Sequence, residues 1–142
     1  MKKLLSVFPM LIFTTFLLNT QLFQAEEPTI KVLELKTNKI ITEAQASTDF
    51  DKYGKKAIKS INNVTVEANP LPTEGFLIKM SLTKPLLVKN KWFNDLVNEV
   101  ILIYQPKYPT NGKVVLYTDE NTPMFFDISY DLKELSEELE IE

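Results

Sequence analysis

The chain has no cysteine and no histidine, and all 16 of its basic residues are lysine, so arginine is absent too. Each absence closes off a kind of chemistry. Without cysteine there is no disulfide, and a folded state must rest on packing alone. The thioether of a lipoprotein anchor is excluded for the same reason. Without histidine and cysteine there is no Ser-His-Asp triad and no Cys-His pair. Zinc, copper and haem lose their usual nitrogen and sulfur ligands. The guanidinium fork that reads phosphate and carboxylate bidentately is missing as well, which would make this an unusual nucleic-acid binder. Repeats, low-complexity stretches, catalytic motifs and cofactor motifs are also lacking.

What is present begins with an address. Met1-Lys2-Lys3 is basic, and Leu4 to Leu18 is an apolar run broken only by Ser6, Pro9, Thr14 and Thr15. Asn19-Thr20-Gln21 is polar, and Ala25 precedes Glu26-Glu27-Pro28. This order of basic, apolar and small residues predicts a secretory signal over residues 1–25. Cleavage after Ala25 places a small residue at the exit, but Phe23 two positions earlier is large for such a site. The rival reading is an uncleaved anchor over residues 4–23, near the roughly 20 residues that span a bilayer, with Lys2 and Lys3 inside. The polar triplet shortens the apolar core and favours cleavage. The expected location is secreted or extracytoplasmic, with membrane anchoring as the alternative. The lysine-rich, arginine-free composition suits an AT-rich bacterial coding sequence.

The remaining chain, about 117 residues, is long enough for one domain with one core. Hydrophobic residues make up 44% of the chain, as in an ordinary folded domain. Residues 26–130 carry 13 charges of each sign, whereas residues 131–142 set six acids against Lys133. The net charge of the exported part therefore sits in its tail. A neutral-to-acidic protein of this kind argues against nucleic acid, or an anionic membrane surface, as the main partner.

The pattern predicts strands around Ile30–Thr42 with a turn at Thr37-Asn38, although the apolar phase slips between Val32 and Leu33. Phe50, Tyr53, Ala57, Ile58 and Ile61 share one helical face over Asp49–Ile61, with Thr48 and Asp51 spaced as a capping box. Further strands are predicted at Val64–Ala68 and Gly75–Thr83, with Lys84-Pro85 ending the latter or placing it at a sheet edge. Lys91–Gln105 reads as a second helix, with Val100–Tyr104 readable instead as a buried strand. A hairpin follows, Lys113–Thr118 with Met124–Tyr130. Leu132, Leu135 and Leu139 then fall at helical spacing in an acidic amphipathic tail, 131–142. The expected fold is α+β: a small antiparallel sheet with two helices packed on one face, in a single domain over 26–130.

Two surfaces suggest binding. Lys52, Lys55, Lys56 and Lys59 form a basic strip opposite the apolar helical face, against the plainer reading of a solvated helix side. Glu134, Glu137, Glu138 and Glu140 form an acidic docking tail, against the plainer reading of a frayed terminus. For chemistry, Asp95 and Glu99 would share a helix face as a carboxylate pair. Ser60 beside Lys59 and Ser81 near Lys79 supply the types for a Ser-Lys pair. Asp49–Gly54 imitates the start of an EF-hand but has Tyr53 at position 5 and Ser60 at position 12, where a glutamate is needed.

The expected function is a non-enzymatic exported protein that binds a macromolecular partner in or near the cell envelope, as an inhibitor, immunity-type protein or accessory subunit. The partner would be a protein or an anionic wall polymer, not nucleic acid, and a membrane only if the leader stays attached. No cofactor and no metal is implied. The alternatives are a small secreted hydrolase using a carboxylate or Ser-Lys pair, and a membrane-tethered component of an envelope complex.

Overall fold

The computed structural model describes residues 27–142. The predicted signal, its cleavage site and the rival anchor lie outside them. Strands β1 (Thr29–Glu34) and β2 (Lys39–Gln45) lead into helix α1 (Thr48–Lys59) and strand β3 (Ile61–Val64). Strands β4 (Phe76–Lys89), β5 (Asn94–Tyr104), β6 (Lys113–Tyr117) and β7 (Pro123–Ile128) follow, and helix α2 (Lys133–Glu138) ends the fold. The strands form one seven-stranded sheet in the order β2-β1-β4-β5-β6-β7-β3, and every pairing is antiparallel.

This corrects the expected α+β fold with two helices on one face. The fold is mostly sheet, with 46% of the described residues in strands and 16% in two short helices. The predicted helix over Lys91–Gln105 is instead a hairpin turn followed by β5. Val97, Val100, Leu102 and Tyr104 are buried on the core side, while Ile101 is half-buried and Ile103 is buried on the opposite face. A strand covered on both faces reads as a continuous apolar run, which hides its period of two.

α1 stands close to its predicted place. Its cap is Ser47 rather than Thr48: the Ser47 hydroxyl accepts from the Phe50 N–H at 3.2 Å. Asp51 plays no part in a capping box. It is buried and accepts from the Thr83 N–H at 3.1 Å and from the Thr83 hydroxyl, tying α1 to β4. The slip between Val32 and Leu33 is a real register shift in the β1–β2 pairing. Asn38, with φ 56°, takes the left-handed conformation in the turn between those strands.

β3 sits beside β7 at the far edge, away from its sequence neighbour β4. Residues 65–75 must therefore return across the sheet, and Gly75 (φ +119°) admits them. A Cβ there would lie 2.6 Å from the Tyr104 carbonyl oxygen.

The β4–β5 ribbon does not stop at Pro85. Its register shifts between Ser81 and Leu86, and pairing then resumes from Leu86↔Val97 to Lys89↔Asn94. Beyond the shift the ribbon bends over the core side. Its tip places Trp92 and Phe93 each 6.3 Å, centroid to centroid, from the buried Phe126 of β7. The core is thus closed by α1, by the folded-over ribbon, and by Leu132, Leu135, Leu139 and Ile141 of the tail, all buried.

Candidate functional site

The four strip lysines are all solvent-exposed on α1, but they do not act as one surface. Lys52 lies 3.5 Å from the Asp49 carboxylate one turn earlier. Lys56 stands 5.9 Å over the Tyr130 ring, facing the C-terminal segment. Lys55 and Lys59 turn the other way, to a depression of about 400 Å³. Its near side is Lys55, Ile58, Lys59 and Ile61, and its far side is Leu86–Asn90 of the folded-over ribbon, including Lys89. Ile58 and Val88 are buried and Leu86 and Ile61 half-buried, so the floor is aliphatic. Leu87 stands at the rim, 60% exposed. Three lysines thus border an apolar hollow whose lining contains no carboxylate.

Four other depressions on the described surface each include at least one acid. The two largest share Lys79 and Glu99, which pair with each other at 3.6 Å across β4 and β5. Another lies where residues 67–72 pass beside Ile103 and Lys113. There Lys113 bridges Asp127 at 2.9 Å and Glu67 at 3.2 Å, and the Thr65 hydroxyl donates to Asp127 at 2.8 Å. In these two places the protein neutralises Lys79 and Lys113 itself. Among the described residues, none of Lys55, Lys59 and Lys89 has a carboxylate within ion-pair distance.

The Lys113 latch carries a pH dependence. Burial pushes the Asp127 carboxyl up, but hydrogen bonds from Lys113 and Thr65, with the Lys113 charge, outweigh it and hold the group below its ordinary value. Burial likewise pushes Lys113 down, and hydrogen bonds to Asp127 and Glu67 outweigh it and raise the ammonium. A depressed carboxyl stabilises the fold above its unfolded value, about 3.9, and that contribution is lost as pH falls through the lower folded value. The raised lysine stabilises below about pH 10.4 and loses its effect as pH rises through the higher folded value. Thermal midpoints measured from about pH 6 to pH 2 should fall less steeply for Asp127→Asn than for the wild type. Parallel curves would remove the latch. Asp127 is 36% exposed, so solvent screening keeps the difference modest.

The acidic tail candidates sit on a docked segment. Glu134, Glu137, Glu138 and Glu140 are exposed while the leucines between them are buried. The tail reaches α1 through Glu138, whose carboxylate accepts from the Tyr53 hydroxyl at 2.5 Å. That hydrogen bond, then burial and the Glu138 and Glu134 charges, push the Tyr53 hydroxyl well above its ordinary value. No ion pair joins the tail to the lysine strip among the described residues.

The chemical candidates are dispersed. Asp95 and Glu99 lie on a strand, not a helix face. Asp95 accepts from the N–H groups of Leu96 and Asp119. The Ser60 hydroxyl donates to the Ala57 carbonyl and accepts from the Tyr130 N–H. Asp51 of the EF-hand-like stretch is committed to Thr83.

Lys89 and the ribbon side of the floor are not legible in the sequence, because Pro85 reads as a strand end or an edge position and says nothing of where a continuing strand would bend. The available signal was the further apolar run Leu86-Leu87-Val88 between lysines. In comparisons with family models, curated proteins and solved structures, nothing matches this chain.

Proposed function

We propose that this chain is an exported, non-catalytic protein that binds a macromolecular partner in or near the cell envelope through the hollow between α1 and the β4–β5 ribbon. The observation carrying this reading is the convergence of Lys55, Lys59 and Lys89, without internal counter-charges, on an aliphatic floor. Apolar surface supplies affinity and unpaired cations supply selectivity for an acidic surface. The sequence of residues 1–25 supports export, and the lack of histidine and cysteine favours binding over nucleophilic chemistry.

The test compares the exported product with a Lys55→Glu/Lys59→Glu/Lys89→Glu variant for retention on isolated envelope material of its host. The wild type should be retained, released by high salt, and outcompete the variant by about tenfold or more. Equal retention would overturn the reading. The mass of the same product should show a start at Glu26; a full-length, membrane-bound species would overturn cleavage.

A further inference from the structure

The hollow is bordered by a strand edge that nothing among the described residues pairs. β4 meets β1 only from Phe76 to Met80, where Ile30 is the last residue of β1 in the register. Past that point β4 pairs, among the described residues, only with β5, at Ser81 and again from Leu86 to Lys89. Between Ser81 and Leu86 the strand pairs with neither neighbour, and there the Thr83 N–H donates to the Asp51 carboxylate of α1. Further along, Leu86–Lys89 keeps its pairing to β5. Among the described residues these four make no other backbone hydrogen bond outside the regular elements. About one and two turns beyond Asp51 on the same helix stand Lys55 and Lys59, across the hollow from that edge.

We infer that the edge Leu86–Lys89 accepts an added strand: an extended acidic polypeptide segment whose backbone pairs with β4. Its carboxylates would meet Lys55, Lys59 and Lys89, and its alternate aliphatic side chains would enter the hollow. This rests on the proposed binding role and specifies its mode. An unpaired edge supplies backbone hydrogen bonds to an incoming strand, and the flanking pockets read every second side chain. Charge selects the occupant. The lysines repel a second copy of the same edge, as edge lysines do in proteins that avoid self-association. They attract a segment of opposite charge.

The probe is a peptide of about seven residues alternating glutamate and valine, added to the purified exported protein. Binding is read by the emission of Trp92, the chain's single tryptophan, at the ribbon tip, and by amide hydrogen exchange. Saturable binding is expected, with slowed exchange at the outward-pointing amides of Leu86–Lys89. Affinity should drop by about tenfold or more in Lys55→Glu/Lys59→Glu, and similarly for a peptide N-methylated at alternate positions. A lysine–valine peptide should not bind. Binding that is indifferent to N-methylation, with unchanged exchange at 86–89, overturns strand addition while leaving the lysine-bordered hollow as a binding face. Absence of binding at millimolar peptide overturns the inference. Equal retention of the charge-reversed protein on envelope material overturns the broader reading separately.

Discussion

Replacing Phe126 with alanine should lower the unfolding free energy by about 3–5 kcal/mol, among the larger costs for a single core truncation. Phe126 is completely buried on β7, yet the rings packed against it come from the tip of the β4–β5 ribbon. Trp92 is tilted 48° against it, and Phe93 meets it edge-on at 87°. The substitution removes a core side chain and also the surface on which the bent ribbon rests. Trp92 emission should therefore shift to the red in the folded variant, as its ring gains water. The neighbouring Phe125, half-buried on the other face of the sheet, is the control. Urea unfolding followed by tryptophan emission checks both. A loss near 1 kcal/mol with unchanged emission would mean that the ribbon does not fold over β7. The hollow proposed for binding would then have no far wall.

Leu135→Ala should cost about 2–5 kcal/mol, although the residue lies seven positions from the end of an acidic tail. Leu132 and Leu135 are fully buried and Leu139 and Ile141 nearly so, all within the main core cluster. α2 has little stability of its own. It is six residues long and lacks a side-chain cap, and Glu137 and Glu138 at its C-terminal end oppose the helix dipole. Packing holds it, so removing one anchor loses burial without local structure to compensate. Glu137→Ala, on the exposed side, should stay within about 0.5 kcal/mol. Chemical denaturation separates the two. If Leu135→Ala were as mild as Glu137→Ala, the tail would be frayed and Glu138 could not be held against Tyr53.

The residues alone made several elements legible because their neighbours in sequence are their neighbours in space. α1 shows a clean apolar face and a lysine face; its cap moved by one residue, and its end drew back from Ile61, which opens β3. The β6–β7 hairpin was readable from two β-prone runs around Asp119–Pro123, where Asn121 takes φ 62°. The β1–β2 irregularity was visible as a phase slip between Val32 and Leu33. The predicted helix at Lys91–Gln105 failed because β5 is apolar on both faces over Val100–Tyr104, and local period cannot tell such a strand from a buried helix.

By itself the sequence determined what chemistry the chain lacks, the basic and then apolar composition of its first residues, the amphipathic helix and the separation of net charge into the tail. Only the tertiary structure decided that β3 joins the far edge, that the ribbon bends past Pro85 onto Phe126, and that Lys55 and Lys59 face Lys89. These are pairings between segments tens of residues apart. Their free energy comes from burying shared apolar surface that no single segment displays. The strip Lys52–Lys59 was visible as a line of charge. Which of its members remain unpaired depended on where Asp49, Tyr130 and the distal part of β4 came to rest.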